Sequence, residues 1–501
     1  MKNEKWLYLL ITISVLLRLF LSAQLELGND EVYYTIYAKQ LQPGYFDHPP
    51  LVGYLISLTS LGSTLHSEFA IRLGAIACSL FNLWLIYEIV LLWSSRRGAL
   101  IALALAAASP YLSLIAGTMI MPDSAMQTFW IAALYAALRI VSEKNPEKYF
   151  LLFGIMVGLA SLSKIHGIML WATLGLYILF FNIRQLKNPF LYLGFLATLI
   201  IISPYIIWNA DNDFISFTFH QNRVNHFSSL QIDSFIRELL GGFLYNNPIS
   251  YVLITIVVFR ELRSNRSEQS PQQKFLLIAG GLPIVLFLSL SLFNDTLPHW
   301  SAPGFTCLIV YVGICLGKHE VGYFSEQRTG NWLKMALSLL CVAMVGLFSF
   351  ISYYPGTTSG NKKLEMLGDG DPSLDLYGWK QASEKLQIFV NDSLHQKSIT
   401  LVCSKWFPAA HVYHYIAEPN RFAMLTYGEL QDLHTFRWFA PTNGAVSKDQ
   451  PIYFITFSNM FQAPSTAVLN AFDITSTPVY IPILRNGVVA KYMVLYEMRE
   501  K

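Results

Sequence analysis

Charge is what this chain has least of. Asp, Glu, Lys and Arg make up 13% of its 501 residues, where soluble domains carry about a quarter. Most of the chain therefore meets something other than water. The net charge is only +3 and the basic residues are dispersed, which argues against a nucleic-acid partner. Cysteine is scarce too. Cys78, Cys307, Cys315, Cys341 and Cys403 share no metal-ligand or redox spacing, so a disulfide framework is not expected. Internal repeats, low-complexity segments and a nucleotide-binding strand pattern are missing. Two D-x-D patterns, Asp211/Asp213 and Asp369/Asp371, occur about as often as chance allows, and neither follows a strand.

What fills the chain is apolar sequence, 53% of residues. A membrane-spanning helix needs about 20 mostly apolar residues, because unpaired backbone groups are too costly in hydrocarbon. Candidate spans lie near 5–24, 68–93, 98–117, 123–141, 149–163, 167–183, 189–208, 242–260, 275–293, 301–317 and 333–353, roughly eleven. The first follows Lys2 and Lys5 as a signal peptide would, but at ~18 residues it is long enough to span. It reads as a retained helix. The fifth and sixth are separated only by Ser163-Lys164-Ile165-His166; fused, they would reverse everything downstream. Charge decides for the break. With the N-terminus cytoplasmic, every inner loop is basic, including Arg96/Arg97, Lys144/Lys148, Arg184/Lys187 and the cluster Arg260, Arg263, Arg266 and Lys274, as the positive-inside rule expects. The C-terminus then lies outside.

From Tyr354 onward there is no span-length run. Short apolar segments (Ile399–Cys403, Ile452–Phe457, Val479–Leu484, Val489–Tyr496) alternate with helical-looking ones (Tyr377–Val390, Pro408–Ile416). The expected architecture is a mainly α polytopic membrane domain over 1–353 and a small α/β extracytoplasmic domain over 354–501.

The outer loops hold the unusual chemistry. The first carries Asp30-Glu31-Val32-Tyr33-Tyr34 and then Gly44-Tyr45-Phe46-Asp47-His48-Pro49-Pro50. Adjacent carboxylates after a membrane helix are costly unless paired or solvated. Such a loop is expected along the interface, aromatics in the headgroups and acids toward a cavity; an ordinary wet loop with an aromatic belt reads equally well. The second holds Met121-Pro122-Asp123, where Asp123 serves either chemistry or the start of its helix. Lys164 and His166 mark the third, as snorkelling or as anion-binding groups. Arg223, whose guanidinium fork suits phosphate, lies in the fourth and His299 in the fifth. Together they gather acids and cations from five loops on one face, enough for a general base and an anionic leaving group.

These residues resemble a known family. Tyr45-Phe46-Asp47-His48-Pro49-Pro50, the Asp30–Tyr34 run, Met121-Pro122-Asp123, Gly158–Lys164, Trp208–Phe217, Leu297-Pro298-His299-Trp300 and Asp375-Leu376-Tyr377-Gly378-Trp379 look like bacterial GT-C-fold glycosyltransferases that use polyprenyl-phosphate sugars. That group includes aminoarabinose lipid A transferases and protein O-mannosyltransferases. The resemblance implies transfer of a sugar, with inversion, from a polyprenyl phosphate carrier to a lipid A, glycan or protein acceptor at the outer face of the bacterial cytoplasmic membrane. It implies Asp30 and Asp123 as catalytic residues and Lys164, Arg223 and His299 as phosphate-binding cations; Glu31, Tyr34, Asp47 and His48 are further substrate-binding candidates, with Asp47-His48 reading equally well as a brace for the first loop. No cofactor is required by sequence, and a divalent metal is left open. The prenyl tail would lie in a groove near Trp84 or Trp130, although either can serve simple bilayer packing. Two rivals stand beside this reading. One is a transporter or flippase of lipid-linked sugars, which predicts inverted repeats and charges at the bilayer midplane. The other is a structural subunit that presents the C-terminal domain to partners.

Overall fold

The computed structural model describes residues 5–224, 230–263, 269–318, 325–360, 362–439 and 450–501, the side chains of 222–224 apart. Lys2 and Arg266, two of the expected inner-loop cations, lie outside the described residues. The chain divides into two compact units. One comprises Met1–Ser22, Gln42–Thr59 and Phe69–Met344; the other comprises Ala23–Leu41, Ser60–Glu68 and Val345–Lys501. The second unit thus joins the C-terminal stretch to two pieces of sequence from the first outer loop.

In the first unit every one of the apolar segments is helical in whole or large part. Six helices among the described residues are long and apolar enough to cross a membrane: Lys5–Gln24, Glu68–Trp93, Pro122–Ser142, Pro189–Asp211, Pro271–Leu290 and Glu326–Tyr353. Ile232–Tyr245 and Pro248–Arg263 form a seventh candidate bent by 98°. The rest of the expected spans are shorter helices, among them Arg96–Ala108 and Ala302–Lys318. These two are packed inside the unit, with Leu100, Leu105, Val310 and Ile314 fully buried. The long helices instead expose large apolar side chains such as Leu16, Trp84, Phe195 and Val342, a surface suited to lipid. Helix contacts use small residues. A Cβ on Gly154 would stand 1.9 Å from the Gly194 carbonyl oxygen, so these backbones touch, and Thr198 Oγ1 donates to Gly154 O at 2.7 Å.

The helix break that charge demanded is present. Glu147–Ser163 ends, Lys164 is extended (φ −151°, ψ 131°), and a 3-10 turn over Ile165–Ile168 leads into Met169–Phe181. Ser163 Oγ donates to Pro122 O at 2.6 Å, tying that end to the start of the Pro122–Ser142 helix.

In the second unit a mixed sheet contains strands β1 (Thr400–Cys403), β2 (Ala423–Thr426), β3 (Ile452–Phe457), β4 (Phe472–Ile474), β5 (Val479–Arg485) and β6 (Val488–Glu500), ordered β2-β1-β3-β6-β4 with β5 also on β6. β1 runs parallel to β2 and β3; the β6 pairings are antiparallel. Asn486 and Gly487 both take positive φ, as a two-residue hairpin turn requires. The first-loop segment is not laid among headgroups. Its helix Asn29–Lys39 buries Val32, Tyr33, Tyr34, Ile36 and Tyr37 within this unit, and Tyr33 Oη shares a 2.7 Å hydrogen bond with Thr435 Oγ1. Trp406 lies 4.9 Å from the Tyr33 ring. The tyrosines are amphipathic, and the folded unit offers both ring partners and hydrogen-bond partners.

Candidate active site

The first unit contains a buried ion pair. Asp123 follows Pro122 in the first turn of its helix, and Lys164 follows the end of the next. The two elements put them together: Lys164 Nζ lies 2.8 Å from Asp123 Oδ2 and 3.0 Å from Oδ1, with 5% and 2% of the side chains exposed. Removing two charges from water costs several kcal/mol, repaid only by good geometry and further hydrogen bonds. The further bonds are here. Tyr111 Oη donates to Asp123 Oδ1 at 2.8 Å, Gln127 Nε2 donates to Tyr111 Oη at 3.0 Å, and Thr306 Oγ1 donates to Gln127 Oε1 at 3.3 Å.

Imidazoles stand around this pair. His48 and His299, both half-buried loop residues, feel the charges of Lys164 and Asp123. Burial, aided by the Lys164 charge, pushes each down to about 4 against the pull of Asp123. Both are therefore neutral at pH 7. His220 Nε2 lies 2.7 Å from Asp47 O, and its ring is 5.8 Å from that of His48. His166 stacks on Phe287 with centroids 5.1 Å apart, and His299 lies 6.3 Å from Tyr245.

Asp30, Glu31 and Tyr34 belong to the second unit. Asp30 is the second residue of its helix and is exposed. Glu31 is buried, and its Oε2 accepts from Gly28 N at 3.0 Å, so it caps its own helix. Tyr34 is 3% exposed and packs against Tyr33 and Tyr37. Arg223 falls in the last turn of the Ile215–Val224 helix, and its side chain lies outside the described residues.

Several other expectations are revised. Trp130 is fully buried, its Nε1 3.4 Å from Cys307 Sγ, so it is core and cannot line a lipid groove; Trp84 is 54% exposed. Arg18, a charge inside Lys5–Gln24 rather than at its end, is buried and donates to Ser79 Oγ at 2.7 Å. Asp211 and Asp213 are exposed, whereas Asp369 pairs with Lys362 at 2.6 Å and Asp371 with Arg485 at 3.1 Å. Among the described residues no three His, Cys, Asp or Glu converge as a metal site needs. Sequence reading missed Tyr111 as a partner of Asp123, and Gln127 as the donor to Tyr111 behind it. Gln127 carried a signal, lying one helical turn after Asp123 and hence on its face.

Comparison with known proteins follows the same lines. Residues 47–208, which include Asp47, His48, Asp123 and Lys164, match the family model described as dolichyl-phosphate-mannose-protein mannosyltransferase. No curated protein matches the chain. ArnT from Cupriavidus metallidurans in the apo state is 16% identical, with a TM-score of 0.63 over 99% of this chain and 98% of that one. The same protein bound to undecaprenyl phosphate is 16% identical, with a TM-score of 0.64 over 98% of each chain. At such identity the likeness is one of fold. The chain is a multi-pass membrane protein that shares its fold, GT-C, with ArnT and carries a glycosyltransferase family signature over residues 47–208.

Proposed function

We propose that this chain transfers a sugar from a polyprenyl phosphate carrier to a lipid, glycan or protein acceptor, at the outer face of a bacterial cytoplasmic membrane. One observation carries the reading. The stretch that matches the mannosyltransferase model holds a buried Asp123–Lys164 pair under neutral imidazoles. The ArnT structure that holds undecaprenyl phosphate supports the class of carrier.

The chemistry assigns each group a task. The acceptor hydroxyl or amine attacks the anomeric carbon from the face opposite the phosphate, so configuration inverts. Asp30 takes its proton as the new bond forms. The bond from carbon to phosphate oxygen breaks, and the phosphate leaves with the electron pair. Its growing charge is stabilised by Lys164, Arg223 and the N–H groups of His48 and His299, which matter most in the transition state. Asp123 keeps Lys164 oriented and lowers the cost of burying it. Asp47 supports the loop through its carbonyl contact with His220. The N-terminus is cytoplasmic and the C-terminus extracytoplasmic, an orientation supported by the basic inner loops.

A flippase would set its charges at the bilayer midplane within broken, repeated helices; the Asp123–Lys164 pair sits instead where two helices end. The test is direct. Purified protein is incubated with radiolabelled polyprenyl-phosphate sugars and cell-envelope acceptors. Label moving onto an acceptor, with release of polyprenyl phosphate, is the expected result. Label that changes leaflet while still on its carrier would favour the flippase and overturn the proposal.

A further inference from the structure

The Asp375-Leu376-Tyr377-Gly378-Trp379 motif has no task in the reaction above. In the second unit it is wrapped around the residue that precedes Asp30. The Asn29 side chain donates to the Asp375 carboxylate. With its amide nitrogen engaged there, its Oδ1 faces His411, whose Nε2 lies 2.8 Å away. That nitrogen is therefore the donor, and Nδ1 is bare in the neutral ring. Burial and the Lys491 charge push His411 well below its ordinary value, which keeps it in that form.

Every part of the bracket is itself held. His411 stacks on Trp379 with centroids 3.8 Å apart and planes 7° from parallel. Trp379 Nε1 donates to Asp375 O at 2.9 Å. Glu26 accepts from the backbone of Trp379 and Lys380 at 2.8 and 2.9 Å, capping the Trp379–Ile388 helix. Lys491 is fully buried; its Nζ donates to Leu374 O at 2.9 Å and sits 3.9 Å from the Trp379 ring centroid. Just upstream of Asn29, Leu27 N donates to Tyr415 Oη at 2.7 Å.

We propose that Asn29, clamped between Asp375 and His411, is the positioning residue that fixes the first helical turn and so aims the Asp30 carboxylate. The inference rests on the reading of Asp30 as the proton acceptor. A positioned base loses rate when its geometry loosens, and displacements near 1 Å can cost about a hundredfold. Substrate affinity need not change.

The experiment uses the full-length protein in detergent or vesicles, with transfer measured per folded molecule after size-exclusion chromatography. Asn29→Leu removes both hydrogen bonds at similar volume. His411→Phe keeps the stack on Trp379 and removes the donor; His411→Gln keeps a donor. Asn29→Leu and His411→Phe are expected to lower kcat at least about tenfold with the donor KM unchanged, and His411→Gln to recover most of the rate. The double variant should be no slower than Asn29→Leu alone, since one bond is lost in both. The acid limb of the pH–rate profile should survive in His411→Phe, because Asp30 still titrates. Rates within twofold of the parent protein, additive losses, or loss of that limb would overturn the inference. Asp30→Asn is run alongside. If it is inactive while Asn29→Leu is normal, only the positioning idea fails; if it transfers normally, the base assignment fails and the inference with it.

Discussion

Among the described residues each unit contains a buried ion pair, and these two are built differently. In the sheet-containing unit Arg485 and Asp371 are both fully buried. Arg485 donates to Gly356 O at 2.8 Å, Ser373 Oγ at 2.7 Å, Ile351 O at 3.3 Å and Asp371 Oδ2 at 3.1 Å. Asp371 also accepts from Thr357 Oγ1 at 2.9 Å, Thr358 N at 3.0 Å and Ser373 N at 3.1 Å. Burial works against its charge, but these donors and Arg485 hold it below the ordinary carboxylate range. Apart from Arg485, the groups that hydrogen-bond to it are backbone and hydroxyl donors, with Asp375 and Lys491 farther out in its field. The Asp123–Lys164 pair has one phenol and one ammonium as donors, and histidines within reach of its field. A saturated pair holds a fold together. On the proposed mechanism, the pair among neutral imidazoles at the ends of two helices meets another charge, that of the leaving phosphate.

That contrast can be broken most forcefully by neutralising both members of each pair. Asp123→Leu/Lys164→Met is expected to stay folded but to lose transfer by at least about a hundredfold, the size of removing one key transition-state donor. Asp371→Leu/Arg485→Met should keep most of its transfer per folded molecule. Reversed outcomes in assays of radiolabel transfer would show the contrast to be mistaken. Next in size is the single change Arg485→Met, which strands Asp371 as a buried charge. It should cost about 3–5 kcal/mol, seen as a lowered thermal midpoint in detergent, with the double variant recovering part of it.

A smaller effect separates the units by pH. Burial, with the charges of His66, Lys39 and Lys380, lowers His414 in the second unit to about 3. An unfolded histidine titrates near 6.5, so below that pH the unfolded chain binds a proton that the folded chain refuses. This contribution to stability is full above about pH 6.5 and falls as the pH drops toward 3, at up to about 1.4 kcal/mol per unit. His414→Leu should flatten thermal stability against pH across that window. The smallest expected effect is none. Asp211→Asn/Asp213→Asn, at two exposed positions, should leave transfer within twofold, which a rate assay checks.

Much of the architecture was legible because it follows from solvent. Apolar length marked the helices, and the basic loops settled the break at Lys164. All four anticipated apolar segments of the C-terminal stretch became strands, β1, β3, β5 and β6. β4, Phe472–Ile474, was missed because it is too short for alternation to show; β2, Ala423–Thr426, is no shorter than β1 but is built mostly of Ala, Met and Leu, which do not mark a strand. The capture of Tyr33 by Thr435, 402 positions away, is a tertiary effect that no local pattern carries. Asp123 and Lys164 could each be noticed as charges in apolar surroundings. Their pairing across 41 residues depends on how two helix ends meet. Tyr111 was hidden because tyrosine is common in apolar runs and only its hydroxyl partner distinguishes it.

On the proposed mechanism a carboxylate on the first-loop helix takes the acceptor proton, and one isosteric change probes it. Transfer from radiolabelled polyprenyl-phosphate sugar is measured with Asp30→Asn beside the parent protein, each checked for donor binding and for a monodisperse folded state. Abolished transfer with donor binding retained is the expected result. Near-normal transfer by the folded variant would contradict it.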